Sequence, residues 1–387
     1  MKQVAFCKVG KSVKFNSAYS PIGGDNEAPA MLTLLANNNP DIVFHMVGRS
    51  DMYKLTDTAM NHIFPHKNVV DAWAGRRGKA DANHIIDYWK NLGFDPDLVV
   101  MMIGQAGSVT IPDRIYKVKD TDGIPATVID MTKNYVTPIF QWWNDNPQLK
   151  VIEIINDPRY CLKMSRDIIN NPTVSLSQYN YSYEKNSIIS YEDQARVVHS
   201  IPVRYASMER IFQYNNPVPP IEIKNRKVPF MVVLNEGRPS RYPILDEWVL
   251  NGNKEIEIWG KWEETTVGND PRFRGTMKID DLHDHLTQAR STFIIPIKKG
   301  WATSKYLEMI HNGVIPFMHP SYDEQDNCGL PKWLRVKTPA QLAKMVEMVK
   351  KDHMYLPMIN TLQKQYCTEE FFDGSYINNE IFSSIVL

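Results

Sequence analysis

Short apolar runs alternate with helical patterns along this chain, and the alternation occurs in both halves. In the N-terminal half it predicts strands at Gln3–Val9, Asp41–Val47, Leu98–Ile103, Ala126–Asp130 and Val151–Asn156. The segments between them predict helices at Ala28–Asn37, Ala82–Asn91 and Thr137–Asn144. Strands that alternate with helices indicate a parallel sheet covered by helices on both faces. The sequence therefore predicts the α/β class.

The same rhythm starts again after a segment rich in asparagine and proline, residues 205–227. Beyond it the pattern predicts strands at Pro229–Leu234, Glu255–Trp259, Phe293–Ile297 and Val314–Phe317. Helices are predicted at Pro243–Asn251, Ile279–Ala289, Ser304–Asn312 and Pro339–Lys351. We expect an N-terminal domain (1–204), a linker (205–227), a C-terminal domain (228–365) and a final segment (366–387) that packs back on the N-terminal domain.

Composition excludes several classes of protein. The 44 basic residues equal the 44 acidic residues, which argues against a nonspecific polyanion binder. Four cysteines without a CxxC pair argue against a disulfide framework and a structural zinc site. No apolar run reaches the ~18 residues of a membrane span, and the first residues have no signal-peptide core. These features predict a soluble intracellular protein without a membrane partner.

Common catalytic motifs are absent from the sequence. It has no GxxxxGK[ST], GxGxxG, GxSxG or HExxH pattern, so ATPase, dinucleotide and zinc-protease interpretations are weak. The histidine-rich turn at residues 280–285 (DDLHDH) could form a metal site. Its residues also suit the solvated side of an amphipathic helix, which is the more common situation. No metal ligands are therefore assigned.

The loop at residues 234–241 (LNEGRPSR) is the first informative segment. It lies between the first predicted strand and the first predicted helix of the C-terminal domain. Small residues allow a ligand to approach the backbone, and Arg238 and Arg241 can grip phosphate oxygens. Exposed N–H groups at the start of the helix would add to the attraction for an anion. The alternative is an ordinary solvated turn.

A second segment runs from the predicted strand at 293–297 into a helix. Within it, the residues Gly300 to Glu308 read GWATSKYLE, and Gly313 is placed to end the helix. Glu308 could accept two hydrogen bonds from a ribose diol, and Lys305, on the same helix face, could reach a phosphate. A single glutamate on a helix is usually a surface residue. Combined with the arginine loop, it indicates a nucleotide-sugar site.

These segments resemble the T-even bacteriophage DNA β-glucosyltransferases. The similarity covers most of the chain, thinly in residues 50–130 and better from 228 to 350. It involves the opening MKQVAFCKVGKSVKF and residues 235–250, 273–277, 305–313 and 336–348. This resemblance implies an α/β chain with the GT-B architecture, in which two Rossmann-like doubly wound parallel-sheet domains face a central cleft.

The resemblance also implies roles for individual residues in binding a UDP-sugar. Gly237, Arg238 and Arg241 would contact the diphosphate, together with Lys305, which stands where the family has an arginine. The turn containing Gly275 and Met277 would lie beside the uracil. Glu308 would bind the ribose hydroxyls. Glu27 and Gly300 would contact the sugar, although Glu27 is also typical of an acidic residue that begins a helix.

An inverting sugar transfer needs a carboxylate to take the proton of the acceptor hydroxyl. The family has an aspartate after the fifth N-terminal strand, followed two residues later by arginine. Asp157 and Arg159 have this placement and spacing. The resemblance therefore implies that Asp157 is the base, and the alternative is a turn-forming aspartate before Pro158.

Glycosylation of a base within a duplex requires the nucleotide to be flipped out of the helix. Candidate DNA contacts are Arg76, Arg77 and Lys79 in a glycine-rich loop, which could equally be a solvated charged loop. Gln105, after the third predicted strand, and Arg159 are candidate contacts to the acceptor. A neutral protein that holds DNA through a few phosphates should bind it transiently.

The predicted function is transfer of a sugar from a UDP-sugar to the hydroxymethyl group of 5-hydroxymethylcytosine in phage DNA, with inversion. The sugar would be glucose or a pentose such as arabinose. Mg²⁺ or Mn²⁺ could assist the leaving diphosphate without being essential to the fold. The partners would be double-stranded DNA and the nucleotide-sugar, with the enzyme a monomer in the cytoplasm of the infected bacterium. The alternatives are a GT-B enzyme with a small-molecule or polysaccharide acceptor, and a non-catalytic nucleotide-sugar-binding protein.

Overall fold

A computed structural model of the 387-residue chain describes its two halves unequally. The described residues are 2–9, 13–14, 35–47, 53–54, 69–71, 96–103, 150–155, 173–177, 197–202, 218–236, 240–252, 255–262, 265–277, 279–296, 305–322, 329–368, 375, 378–379 and 382. The chain divides into two compact units. The N-terminal unit comprises Met1–Tyr179, Tyr183–Val203 and Asp373–Leu387, and the C-terminal unit comprises Asn180–Ser182 and Arg204–Phe372.

The described part of the N-terminal unit has nine strands, and seven of them form one parallel sheet. In chain order its described strands are β1 (Lys2–Val9), β2 (Val13–Lys14), β3 (Ile42–Val47), β4 (Tyr53–Lys54), β5 (Val69–Asp71), β6 (Leu98–Ile103), β7 (Lys150–Ile155), β8 (Thr173–Ser177) and β9 (Val197–Pro202). The sheet order is β5-β3-β1-β6-β7-β8-β9, and β2 pairs separately with β4. The strand order reverses between β1 and β6, and in open α/β sheets such a reversal is the usual place for a ligand, beyond the carboxyl ends of the strands.

The start of this sheet is tied together by side chains as well as by the strand ladder. The N–H of Gln3 donates to the Asp97 carboxylate at 2.8 Å, and the N–H of Asp97 donates to the Gln3 carbonyl at 2.9 Å. Buried residues on three strands, Val4, Phe44 and Leu98, form part of the core. The last residues of the chain, from Asp373 on, belong to the same unit, and the Asn39 amide donates to the Asn378 side chain.

The C-terminal unit has a four-stranded parallel sheet of order β11-β10-β12-β13. Its strands are β10 (Val228–Val233), β11 (Ile256–Trp259), β12 (Ala289–Ile294) and β13 (Ile315–Met318). Its helices are α1 (Tyr242–Leu245), continued by a π-helical turn at Asp246–Leu250, then α2 (Thr265–Gly268), α3 (Ile279–Leu286), α4 (Lys305–His311), α5 (Pro339–Val349) and α6 (Asp352–Tyr366). Single 3₁₀ turns occur at Ile223–Asn225 and Lys332–Leu334.

Helices cover the C-terminal sheet and give it a continuous core. Helix α4 packs on α6, β12 and β13, whereas α5 packs on the π-helical turn, β10 and β12. Thr338 caps α5 by accepting the N–H of Gln341 at 3.1 Å, and the Gln341 side chain accepts the N–H of Lys337. Every residue of β13 is buried, as expected for a parallel strand covered by helices.

Several sequence predictions are confirmed, and others are wrong at identifiable positions. Strand β6 has the predicted bounds, and α4 ends before Gly313, whose φ of 77° suits only glycine without strain. The helix predicted through Ala289 ends at Leu286, and β12 begins at Ala289 rather than at Phe293. Strands β8 and β9 and helix α6 were not predicted. The elements predicted at 82–91, 126–130 and 137–144 lie outside the described residues.

A buried arginine, Arg226, joins the segment just before β10 to the interior of the C-terminal unit. Arg226 is 3% exposed, and its guanidinium donates to three backbone carbonyls, those of Leu286, Ala289 and Asn312. Burial lowers the pKa of Arg226 from its ordinary value. Tyr355 lies beside it, donates its hydroxyl to the Gly313 carbonyl, and has its pKa raised to about 12 by burial. This network joins the end of α3, the start of β12 and the end of α4.

No helix in the described part of the chain is both long and apolar enough to cross a membrane.

Candidate functional site

Five of the residues predicted to bind the donor lie among the described residues, and all are in the C-terminal unit. They are Arg241, Gly275, Met277, Lys305 and Glu308. The other predicted site residues fall outside the described residues and stay predictions. They are Glu27, Arg76, Arg77, Lys79, Gln105, Asp157, Arg159, Gly237, Arg238 and Gly300.

The loop after β10 is closed by its own hydrogen bonds. The guanidinium of Arg241 donates through Nη1 to the carbonyl of Asn235 at 2.9 Å. The backbone N–H of Arg241 donates to the Glu236 carboxylate, also at 2.9 Å. Arg241 is therefore held at both its backbone and its side chain by the second and third residues after β10.

The start of α1 differs from the sequence expectation of exposed N–H groups. The N–H of Arg241 is bound by Glu236, and the N–H of Tyr242 donates to the Ser240 hydroxyl at 3.2 Å. The next residue, Pro243, has no N–H. Because internal acceptors already satisfy these donors, the attraction for an anion at this loop depends on side-chain cations rather than on the helix end.

Three segments at the carboxyl ends of β10 and β11 join to form one surface, which we call the shelf (residues 234–236, 259–262 and 274–277). The N–H of Glu236 donates to the Lys261 carbonyl at 2.8 Å, and the N–H of Lys261 donates to the side-chain oxygen of Asn235 at 2.7 Å. The N–H of Gly260 donates to the Gly275 carbonyl at 2.9 Å. Three hydrogen bonds thus hold separate loops in one arrangement.

The turn that contains Gly275 and Met277 is fixed to β11. The N–H of Ile258 donates to the Arg272 carbonyl at 3.0 Å, and that of Arg274 donates back to Ile258 at 2.9 Å. Arg272 also donates three hydrogen bonds to the Asp270 carboxylate, two from its side chain and one from its backbone N–H, and they lower the pKa of the Asp270 carboxyl. Gly275 has φ 89°, a backbone conformation that residues with a side chain rarely adopt, so the turn requires glycine at this position.

Lys305 and Glu308 lie on the first turn of α4, three residues apart. Both are partly exposed, whereas the residues between and after them are buried against the core. Because α4 connects the parallel strands β12 and β13, its first turn lies at the carboxyl edge of the sheet. The structure therefore places Arg241, the turn at 274–277 and the Lys305–Glu308 pair at the same edge of one sheet.

Sequence analysis included Asn235 and Glu236 in the informative loop at 234–241 without giving them a role, and it did not single out Gly260 and Lys261. Their shared sequence signal is position: each lies within two residues of the end of a predicted strand. The hydrogen bonds that join these residues across the shelf connect positions 15 to 26 residues apart, and no local pattern indicates such a pairing.

The histidine-rich turn provides no metal site in the described structure. His285 packs against the indole of Trp259, with ring centroids 4.6 Å apart. Among the described residues, no group of three or more histidine, cysteine, aspartate or glutamate side chains could hold a metal ion.

His319, directly after β13, is a titratable group that the sequence did not single out. Its ring lies edge-on to Trp248, with centroids 4.9 Å apart, and its Nδ1 is 2.7 Å from the Ser321 hydroxyl. Burial lowers the pKa of His319, and the charge of Glu247 partly offsets that effect. Protonation of His319 is therefore easier in the unfolded chain than in the folded one.

We expect acid to destabilise the C-terminal unit through His319. Because its folded pKa is lowered, the contribution is complete above the ordinary histidine value of 6.5 and is lost as pH falls below it. Denaturant unfolding at pH 7.5 and 5.5 should show a smaller loss of unfolding free energy in His319→Gln than in the wild type. The control His353→Gln removes an exposed imidazole. Equal losses in the wild type and His319→Gln would contradict this assignment.

Comparisons with known proteins support the fold. No protein-family profile matches the chain, and no curated protein sequence does. A T4 phage β-glucosyltransferase structure is 12% identical to this chain, with a TM-score of 0.56. A point mutant of the T4 phage enzyme in complex with UDP-glucose is also 12% identical, with a TM-score of 0.55. Both alignments cover 100% of each chain. Anabaena HepE in complex with UDP and glucose is 10% identical over 99% of both chains, with a TM-score of 0.51. The chain therefore has the α/β fold of the GT-B glycosyltransferases.

Proposed function

We propose that this protein is an inverting glycosyltransferase that moves a sugar from a UDP-sugar to the hydroxymethyl group of 5-hydroxymethylcytosine in phage DNA. The observation that carries the proposal is the common edge of the C-terminal sheet, where Arg241, the turn at 274–277 and the Lys305–Glu308 pair lie together. Cations for a diphosphate, a backbone turn for a base and a carboxylate for a ribose diol are what a nucleotide-sugar requires.

The fold similarity to T4 phage β-glucosyltransferase supports this assignment of the donor and suggests the DNA acceptor. In the proposed complex, Arg238, Arg241 and Lys305 bind the diphosphate, with Gly237 allowing close approach. Gly275 and Met277 flank the uracil, and Glu308 accepts hydrogen bonds from the ribose. The sugar, which is glucose or a pentose, lies against Glu27 and Gly300.

The proposed chemistry is a single displacement. The hydroxymethyl oxygen of the acceptor attacks the anomeric carbon as the bond from that carbon to the UDP oxygen breaks. Asp157 takes the hydroxyl proton, and the basic residues stabilise the negative charge that develops on UDP. The described residues of this edge offer no cluster of metal ligands, so no step is assigned to Mg²⁺ or Mn²⁺.

We assign acceptor binding to the N-terminal unit. Arg76, Arg77 and Lys79 would contact DNA phosphates, and Gln105 and Arg159 would hold the flipped nucleotide. The protein would act as a monomer in the cytoplasm of the infected host. The domain roles proposed are acceptor binding by residues 1–204 and donor binding by residues 228–365.

The test is a transfer assay read by mass spectrometry of nucleosides. DNA that contains 5-hydroxymethylcytosine is incubated with UDP-glucose or a UDP-pentose, digested, and compared with the same DNA containing unmodified cytosine. We expect one hexose or one pentose on hydroxymethylcytidine and no change in the cytosine control. UDP release without a modified nucleoside in any DNA would contradict the DNA acceptor.

Replacement of Asp157 by asparagine should separate chemistry from binding. Asp157→Asn keeps the size of the side chain but removes the proton acceptor, so we expect kcat to fall at least about a hundredfold. The affinity for UDP, measured by calorimetry, should change less than about twofold, because the proposed UDP contacts lie on other residues. A variant that transfers sugar at the wild-type rate would show that Asp157 is not the base.

A second candidate is a GT-B enzyme with a small-molecule or polysaccharide acceptor. The fold similarity to Anabaena HepE, whose structure holds UDP and glucose, favours keeping this candidate. It predicts UDP binding and sugar transfer without dependence on DNA, so the assay above distinguishes it from the first. UDP-sugar binding without transfer to any acceptor would instead indicate a non-catalytic binding protein.

A further inference from the structure

Asn235 is bound to another part of the shelf and to Arg241. Its side-chain oxygen accepts the backbone N–H of Lys261 at 2.7 Å, and its backbone carbonyl accepts a guanidinium N–H of Arg241 at 2.9 Å. Asn235 is exposed and contributes little to the core. One surface residue therefore lies between the loop that carries Arg241 and the loop that follows β11.

The side chain of Asn235 substitutes for a backbone acceptor. Strands β10 and β11 are parallel, and their ladder continues beyond the strand ends, from the N–H of Leu234 to Trp259 and from that of Glu236 to Lys261. In a regular parallel ladder the N–H of Lys261 would donate to the Leu234 carbonyl. The Asn235 oxygen takes this N–H instead, where Gly260 approaches Leu234 most closely.

This arrangement couples the position of the loop after β11 to that of the loop that carries Arg241. Without the Asn235 oxygen, the N–H of Lys261 loses its partner, and residue 235 is held by the ladder bonds of Leu234 and Glu236 without the support of its own side chain. That backbone carries the carbonyl that holds the Arg241 guanidinium. A displaced carbonyl weakens one hydrogen bond to the guanidinium and so weakens its pre-organisation for an anion.

We propose that Asn235 is a positioning residue that holds Arg241 in place for the diphosphate of the donor. This inference rests on the proposed function, because it takes a nucleoside diphosphate as the ligand of Arg241. Asn235 acts through Arg241 and through the shelf rather than by touching the ligand. Loss of the Asn235 side chain should therefore weaken the binding of ligands that carry a diphosphate, and it should not weaken the binding of the base.

The base side of the shelf is fixed without Asn235. The turn at 274–277 is held by backbone hydrogen bonds from Gly260 to Gly275 and from Arg274 to Ile258, and a further one joins Ile258 to Arg272. None of these bonds involves the Asn235 side chain. Loss of that side chain should leave the turn in place, so binding of the nucleoside alone should be preserved.

The experiment compares UDP and uridine binding to the full-length protein and to Asn235→Ala. Titration calorimetry measures UDP, and ligand-observed NMR measures uridine. We expect UDP to bind about tenfold more weakly to the variant, while the dissociation constant of uridine changes less than about twofold. In an Arg241→Ala background, Asn235→Ala should weaken UDP less than about twofold further, since both changes remove the same interaction.

Two measurements separate positioning from simple loss of structure. Amide hydrogen exchange at Lys261 should be faster in Asn235→Ala and return to the wild-type rate in Asn235→Asp, which keeps an acceptor oxygen. For Asn235→Asp only amide hydrogen exchange is measured and not UDP binding, because the added negative charge would itself repel a diphosphate. The control Asn225→Ala removes another exposed asparagine, whose amide donates to Glu222, and should leave UDP binding unchanged.

The outcomes distinguish this inference from the proposed function. If the wild type binds UDP and Asn235→Ala binds it equally well, or if UDP and uridine weaken together, Asn235 does not position Arg241. Additive losses in the double variant would also overturn the inference. If the wild type binds neither UDP nor uridine, the proposed function fails and this inference fails with it.

Discussion

Replacing Gly260 by alanine is expected to destabilise the C-terminal unit by roughly 4 kcal/mol. A methyl group at this position would lie 1.9 Å from the carbonyl oxygen of Leu234, a backbone atom that cannot rotate away. Gly260 also has φ 139°, a conformation that residues with a side chain rarely adopt. Relief of the contact requires β10 and the loop after β11 to separate, which breaks the shelf.

Denaturant unfolding of Gly260→Ala measures this loss, and calorimetry with UDP measures the damage to the proposed donor site. The matched control is Gly268→Ala in α2, where a methyl group meets nothing within 4 Å. That control should change the unfolding free energy by less than about 1 kcal/mol, because alanine favours a helix. A Gly260→Ala protein with wild-type stability would show that the two loops do not approach as closely as described.

Replacing Arg226 by methionine is expected to cost about 4 kcal/mol of unfolding free energy. The change keeps a long apolar side chain but removes the donors to three buried carbonyls, those of Leu286, Ala289 and Asn312. Water cannot replace the arginine readily, because residue 226 is only 3% exposed. The ends of α3 and α4 and the start of β12 lose their common partner.

The measurement is again chemical denaturation, with Lys224→Met as the control. Lys224 lies two residues away on the same segment, with its side chain 81% exposed, and pairs with Glu222 at 3.6 Å. Removal of that exposed pair should cost less than about 1 kcal/mol. If Arg226→Met and Lys224→Met lose the same small amount, the buried carbonyls do not depend on Arg226.

The errors in the predicted elements have local causes. The apolar period of α3 continues to Ala289, so periodicity alone extends the helix. In the structure the residues after Leu286 turn back, and Ala289 pairs in β12, where Arg226 binds its carbonyl. Helix α6 was not predicted in a segment that contains Pro357, a residue that normally interrupts a helix. Its buried face, which includes Tyr355, Ile359 and Leu362, packs against the core and outweighs that local cost.

The candidate site was predictable where it depends on residue type. Arg241, Lys305 and Glu308 follow strands and carry the cationic and carboxylate groups that the proposed donor site needs, so the sequence was sufficient to select them as candidates. The residues that hold Arg241 were not predictable in that role. Asn235 and Lys261 are 26 positions apart, and an exposed asparagine after a strand gives no indication of its partner.

The sequence alone was sufficient to predict the alternation of strands and helices, because a hydrophobic period of two or of 3.6 residues is a local property of the chain. The parallel order β11-β10-β12-β13 and the contact of Gly260 with Leu234 depended on tertiary structure. The same is true of the three carbonyls bound by Arg226. Each of these pairings joins distant residues, and their free energy becomes favourable only when the core brings the segments together.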